Sequence, residues 1–378
     1  MAPVIQALGR RSEQIRSIVC STGQHREMLE QTLALFAITP DFDLRLMQHN
    51  QGLADLTARL IVALDRLLAK ARPDCVLAQG DTTTVLATSL VSFYRGIPFG
   101  HVEAGLRTGD RRRPFPEEIN RRVADVVSDL YFAPTQRARE ALLREGMRDS
   151  DIHVTGNTVI DALLEVADLP FNWSVGPLAL LARGKRTVLI TAHRRESFGE
   201  QFRQLCLAIR DLALLNRDTT QFVYPVHLNP NVQQPVQEIL SGLENVTLLE
   251  PLDYSSLVHL MKRSALILTD SGGIQEEAPS LGVPVLVMRE TTERPEGVEA
   301  GVVRLVGTDR DEIFKQAQRL LTDPVAHAEM ATRANPYGDG HAAERIVSAV
   351  LERVRPHATT ADDGERSSSD LLLKGRTP

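Results

Sequence analysis

Two spacings of apolar residues alternate along most of the chain. Short unbroken apolar runs stand at 75–79, 99–102, 130–133, 152–154, 187–191, 221–225, 246–249, 266–269 and 283–288. Their length and continuity are those of strands buried on both faces. Longer stretches at 26–37, 53–71, 199–215, 232–241 and 255–263, and one reaching Tyr94, repeat apolar residues at helical spacing. The alternation predicts an α/β protein with mainly parallel sheets, in two successive series. The start is different. Residues 2–8 read as a helix with Val4, Ile5 and Leu8 on one face, and the first strand comes only at 17–21. A doubly wound domain ordinarily opens with the strand at the centre of its sheet. The chain thus reads as starting on the second element of its own fold, short of a strand and loop of roughly 10–15 residues.

Stretch 169–185, with its prolines, its glycines and Trp173, marks the crossing between two domains. The predicted units are 1–168, 169–340, a closing helix at 341–356 and a tail at 357–378. Ala342, Ile346, Val347 and Val350 form one stripe of that helix, and the polar tail is expected to be disordered.

A length of 378 residues suits two domains, and 43% hydrophobic with 24% charged residues is a globular balance. A net charge of -6 argues against nucleic acid as a partner. Cys20, Cys75 and Cys206 lie in apolar patterns without CxxC spacing, as core thiols of a reducing compartment do. The 10 histidines form no HxxxH pair, so no zinc site is expected. No run spans a bilayer and no signal peptide is recognisable, which predicts a cytoplasmic protein without a membrane partner.

The candidate chemistry gathers where strands end. Residues 266–297 read as strand, tight turn, helix and strand. Ser271, Gly272 and Gly273 open that helix, whose first N–H groups have no partner within it, a site suited to phosphate. Glu276 and Glu277 follow, where a carboxylate reaches ribose hydroxyls, and Arg294 lies in the loop beyond the second strand. Asp81, Glu103 and Glu117 each lie just beyond a first-domain strand, at one rim of the sheet, and crowded carboxylates suit acid/base work. The plainer readings are a helix cap for Asp81 and a favourable first-turn charge for Glu117. His193, followed by Arg194 and Arg195, suits a phosphate or leaving group, and His227 has a similar location. Arg111, Arg112 and Arg113 read as a solvated loop or an anionic-substrate contact.

The strings GDTTT (80–84), HVEAGLRTGD (101–110), PEE (116–118), GNTVIDAL (156–163), HRRESFG (193–199), PVHLNPNV (225–232), DSGGIQEEAPSLG (270–282), TTERPE (291–296) and NPYGDG (335–340) resemble those of the non-hydrolysing UDP-N-acetylglucosamine 2-epimerases. The resemblance runs over 1–355 and implies a GT-B arrangement: two Rossmann-like domains facing a cleft, the last helix crossing back to the first. It implies a cytoplasmic homodimer that interconverts UDP-GlcNAc and UDP-ManNAc, without metal or nicotinamide cofactor, for cell-envelope polysaccharides. The implied mechanism eliminates UDP to a 2-acetamidoglucal and adds it back. In that scheme Asp81, Glu103 and Glu117 are the acid/base set, with the two roles unassigned, and His193 assists at the diphosphate. Ser271, Gly272 and Gly273 hold phosphate, Glu277 takes the ribose, Arg294 contacts the diphosphate, and Leu252 and Leu257 match uracil-side positions. A second UDP-GlcNAc is implied as an allosteric activator, near residues such as Gln24, His25, Arg26, Arg107 and His227.

That family opens with a strand, a GTRPE loop and a lysine just before Met-Ala-Pro, whereas this sequence begins at Met1-Ala2-Pro3. The expectation is a gap at the centre of the first sheet, low stability and weak activity. Rival readings are an epimerase of a related UDP-diacetamido sugar, a GT-B glycosyltransferase, and a UDP-sugar-binding protein with little turnover.

Overall fold

The apolar runs fold as strands and the three-to-four repeats as helices in a computed structural model that describes residues 1–23, 26–47, 51–181 and 184–354. Gln24, His25 and the tail 357–378 lie outside the described residues. The first domain comprises α1 (Ala2–Gly9), β1 (Cys20–Ser21), α2 (Arg26–Leu35), β2 (Phe42–Asp43), α3 (Leu53–Ala71), β3 (Val76–Gln79), α4 (Thr83–Tyr94), β4 (Phe99–Val102), α5 (Glu117–Val126), β5 (Leu130–Ala133), α6 (Gln136–Arg144), β6 (Ile152–Val154) and α7 (Thr158–Asp168). The second comprises β7 (Arg186–Thr191), α8 (Glu200–Leu215), β8 (Thr220–Pro225), α9 (Pro230–Leu240), β9 (Val246–Leu249), α10 (Tyr254–Arg263), β10 (Leu266–Thr269), α11 (Gly272–Glu277), β11 (Val285–Val287), α12 (Pro295–Glu299), β12 (Val303–Leu305), α13 (Arg310–Thr322) and α14 (Pro324–Ala331). The chain closes on α15 (Ala342–Val354).

The second sheet is fully parallel, in the order β12-β11-β10-β7-β8-β9. This is the doubly wound order, and it reverses between β7 and β10, where such sheets open a crevice at their carboxyl ends. Alternate residues of these strands serve two cores. Val188, Ile190, Leu266 and Leu268 pack with Phe202 and Leu205 of α8, whereas Leu189, Val223, Ile267 and Val285 pack with Val258 and Met261 of α10. That two-sided burial is why these strands read as unbroken apolar runs.

In the first domain β3, β4, β5 and β6 form one parallel sheet, and β1 and β2 form a separate two-stranded one. Among the described residues β3 pairs only with β4, and all its residues are partly exposed, whereas β4 and β5, paired on both sides, are buried. Leu56, Leu60, Leu64 and Leu68 line one face of α3 at four-residue spacing and pack on Ala87 and Val91 of α4.

Two helices tie the halves together. Leu163 and Val166 of α7 pack into the second-domain core with Val258 and Ile267. In the other direction, Ile346, Val347 and Val350 of α15 pack against Val102, Leu130 and Phe132 of the first sheet, beside Val4 and Ala7 of α1. The GT-B arrangement with a returning last helix is thus present.

Several local expectations need correction. The strand expected at 17–21 is only Cys20–Ser21, and β2, two residues long, has no legible periodicity. Helix α5 begins at Glu117, with Pro116, which suits a first helical position by sequence, standing instead as its cap. The helix opened by Ser271, Gly272 and Gly273, which by sequence runs to about Leu281, is α11 followed by a 3-10 turn, Ala278–Leu281. Pro279 has no N–H to continue the helical ladder, and Gly282 ends the turn at φ 69°.

Candidate active site

Asp81 stands past β3, after Gly80 turns the chain at φ 85°. It does not cap α4. Thr82 does, its hydroxyl accepting the Val85 N–H at 3.4 Å. The Asp81 carboxylate instead pairs with Arg121, and its carbonyl accepts from Asn120 Nδ2 at 2.9 Å. Asn120 and Arg121 follow Glu117 by three and four residues, so all three share one face of α5. Glu117 therefore heads the helical face that holds Asp81, itself half-buried in the first turn. Glu118 points inward. It is fully buried and accepts the N–H groups of Thr108 at 3.1 Å and Gly109 at 3.4 Å, fastening the loop after β4 to α5.

Glu103 follows β4 at φ 69°, a left-handed conformation that a glutamate rarely adopts. A buried polar network over-determines it. His101 Nδ1 lies 2.6 Å from Asp125 Oδ1, and its Nε2 lies 2.7 Å from the Gly80 carbonyl. Both ring nitrogens face acceptors, so the ring carries two protons. Burial opposes that charge, but Asp125, the Gly80 carbonyl and Glu103 together raise the His101 pKa. Asp125 also accepts the Gly105 N–H at 3.2 Å and pairs with Arg107 at 2.8 Å. Gly105 has φ 85°, and a Cβ there would overlap the Ala138 carbonyl oxygen.

Arg107, expected near a second nucleotide sugar, is committed within the protein. It donates to Glu145 at 2.9 and 2.7 Å and to the Leu106 carbonyl at 2.8 Å.

At the switch point of the second sheet, Asp270 follows β10 and is fully buried. Its Oδ2 accepts the backbone N–H groups of His193 and Arg194, both at 2.7 Å, joining the loop after β7 to the loop after β10. The His193 ring stacks on His227, with centroids 5.3 Å apart and planes 8° apart. Two histidines 34 positions apart thus face the same crevice mouth as Ser271 and Gly272. Arg194 reaches over this turn, its Nη2 3.7 Å from where a Gly272 Cβ would stand. The loop after β11 is fastened to α11 by Thr292, which donates to Gln275 Oε1 at 2.6 Å and accepts the Arg294 N–H at 3.0 Å. Arg289 holds Glu293 bidentately at 2.8 and 3.0 Å, which brings that carboxyl down to about 2.

The domains meet at a chain of charges. Arg294 Nε donates to Glu276, Glu276 Oε2 accepts from Asn157 Nδ2 at 2.7 Å, and the same amide lies 3.3 Å from Glu103 Oε1. Burial raises the Glu103 pKa, Glu276 and Asp81 add to the rise, and Arg294 opposes it. Glu277, one residue on, accepts from the Tyr254 hydroxyl at 2.9 Å. Burial pushes it up to about 7, against the Tyr254 hydrogen bond. Leu252 and Leu257 are half-buried on the second-domain core beside Tyr254 and form an apolar wall.

Asp81 and Glu103 thus come together with Arg294 across the cleft, and His193 joins the Ser271–Gly273 turn. Sequence reasoning missed Asn157, Arg121, Asp270 and Tyr254, and it assigned Glu276 no partner. Asn157 caps α7 by accepting the Val159 N–H at 3.2 Å, and that ordinary cap signal hides its second task.

Comparison with known proteins gives one family. The family model described as UDP-N-acetylglucosamine 2-epimerase matches residues 7–351. The UDP-N-acetylglucosamine 2-epimerase of Salmonella typhimurium (strain LT2) is 53% identical over 356 residues, which cover 93% of this chain and 94% of that protein. The crystal structure of UDP-GlcNAc 2-epimerase from Neisseria meningitidis bound to UDP-GlcNAc is 47% identical with a TM-score of 0.82, covering 93% of this chain and 96% of that one. The Methanocaldococcus jannaschii UDP-GlcNAc 2-epimerase, in complex with UDP-GlcNAc and UDP, is 32% identical with a TM-score of 0.72, covering 93% and 95%. With the model matched over most of its length and relatives above half identity, the chain belongs to the UDP-N-acetylglucosamine 2-epimerase family.

Proposed function

We propose that this protein interconverts UDP-GlcNAc and UDP-ManNAc by eliminating UDP and adding it back. The observation that carries the reading is the meeting of Glu103, a half-buried carboxyl of raised pKa, with the Arg294–Glu276 pair of the other domain. The reaction needs those two functions side by side. A base takes the proton from sugar C2, the C2–H electron pair becomes the second bond between C1 and C2, and the C1–oxygen bond breaks toward UDP. In the second half a UDP oxygen attacks C1 of the 2-acetamidoglucal, and C2 receives a proton on its opposite face.

The C2 hydrogen is not acidic alone, so departure of the diphosphate must be stabilised as it happens. Arg294, His193 and the N–H groups at Gly272 and Gly273 provide positive charge and donors for it. Asp81, Glu103 and Glu117 are the groups for the two proton transfers, and a carboxyl of raised pKa is suited to exchanging a proton near neutral pH. Glu277 takes the ribose, and Leu252 and Leu257 flank the uracil. A second UDP-GlcNAc acts as activator, through groups other than the committed Arg107 guanidinium. The protein works as a homodimer. Phe93 and Tyr94 at the end of α4 and Val126 at the end of α5 are exposed, and they give the first domain apolar surface for a second copy.

Proton NMR of UDP-GlcNAc with the protein in D2O tests the reading. Loss of the C2 proton signal with appearance of the manno isomer is the expected result. No exchange from a protein saturable by UDP overturns it in favour of binding without turnover.

A further inference from the structure

Among the described residues, Asn157 is the one side chain with hydrogen bonds to a carboxylate of each domain at the site. It is 4% exposed. Its backbone N–H donates to the Tyr337 carbonyl at 2.7 Å, and its Oδ1 accepts the Val159 N–H at 3.2 Å. The preceding Gly156 has φ 86° and packs so closely that a Cβ would lie 3.1 Å from Gly338 Cα. The amide is therefore fixed in place, with only Nδ2 left to donate. Its two hydrogens serve Glu276 Oε2 at 2.7 Å and Glu103 Oε1 at 3.3 Å.

Resting on the epimerase reading, we propose that Asn157 is a positioning residue that orients the Glu103 carboxyl and joins it to the Glu276–Arg294 pair of the second domain. A neutral amide is the group this place requires. It donates to two carboxylates at once and adds no charge, whereas a bare gap would leave Glu103 and Glu276 facing each other. The proton-exchanging carboxyl is then set in place only while the diphosphate-side Arg294 is seated on Glu276. Glu103 is faced by Glu276 of α11, Arg294 of the loop before α12, Asp81 after β3, His101 of β4 and the Met1 amino group of α1, with the Gln79 amide of β3 at 3.5 Å. Asn157, uncharged, stands between Glu276 and Glu103.

The test uses Asn157→Asp and Asn157→Ser in the full chain. Both keep an oxygen to cap α7, and both remove the amide donors. The first adds a negative charge and the second does not. The Glu103 carboxyl is titrated by carbon NMR of glutamate-labelled protein, with Glu103→Gln assigning its signal. The expected result is a Glu103 midpoint higher by roughly one unit in Asn157→Ser and by more in Asn157→Asp. The limb of the pH–rate profile that Glu103 governs should move up with it. kcat should fall roughly 10- to 100-fold, with KM within about threefold. Unmoved midpoints and profiles in both folded variants overturn the proposal, as does a loss of melting temperature with no change in either. A shifted midpoint in a protein that exchanges no C2 proton upholds the Asn157 role and sinks the epimerase reading instead.

Discussion

Asp270 accepts the backbone N–H of His193 at 2.7 Å and that of Arg194 with the same oxygen at the same distance. One buried carboxylate therefore sets the loop that carries His193 relative to the turn at Ser271. Leucines and valines build the sheet, but this contact aligns the two loops at its switch point. Asp270→Ala would leave two N–H groups without an acceptor, each at a cost of about 1–3 kcal/mol. The expected outcome is a fall in melting temperature with kcat lowered by roughly 100-fold or more. Asp270→Asn, which keeps an acceptor oxygen, should recover most of the stability. Thermal melts and kinetics on the pair check this.

Glu277 makes stability depend on pH in a stated direction. Its folded pKa of about 7 lies above its ordinary value of 4.5. Between those values the native state holds a proton that the unfolded chain has released, so native stability is full below pH 4.5 and is lost as pH rises through about 7. Glu277→Gln removes the dependence while keeping an oxygen for Tyr254. Above pH 7 the variant should be more stable than the parent by something on the order of 3 kcal/mol, and the difference should vanish below pH 4.5. Urea unfolding at pH 4.5, 6 and 8 gives the curve. The same variant should bind UDP more weakly at pH 8.

Asp81→Asn tests the rim carboxylate. Arg121 keeps Glu118 at 3.4 Å as a partner, so the fold should hold. The rate of C2 proton exchange should drop by about 10²–10⁴-fold, with UDP affinity nearly unchanged. Exchange at the parent rate would remove Asp81 from the acid/base set.

Gly105→Ala probes the support under Glu103. At φ 85°, with the Ala138 carbonyl in the way, a methyl group has no room. The variant should lose several kcal/mol, about 1–2 from the left-handed backbone alone, and Asp125 would lose the Gly105 N–H. Circular dichroism melts decide the matter, and an unchanged melting temperature would count against the described loop.

Phe93→Glu together with Tyr94→Glu tests the apolar surface at the end of α4. On the proposed homodimer, light scattering should report a dimer for the parent and a monomer for the variant. An unchanged dimer places the interface elsewhere.

Much of this was legible in advance, for identifiable reasons. Buried parallel strands need apolar side chains on both faces, so β7, β8 and β10 stand out as runs. The start of α11 is recognisable because Ser271, Gly272 and Gly273 after a buried apolar run mark a tight turn into a helix. Glu103 was the carboxylate with no structural explanation, and it is the one held at positive φ. Asp81 was open to a capping role that Thr82 fills instead.

The sequence alone determined the two α/β series, the strand ends where the candidate site gathers and the family to which the chain belongs, because these rest on local periodicity and contiguous motifs. Tertiary structure alone decided the partnerships: Asp270 with His193, Arg121 with Asp81, Arg294 with Glu276, and Asn157 between Glu276 and Glu103. Each joins residues dozens of positions apart, except Arg294 and Glu276, which sit 18 apart on separate elements. Distance along the chain carries no record of such pairs. A buried charge must find its counterpart in space, and which counterpart it finds depends on how the sheets and crossing helices bring the loops together.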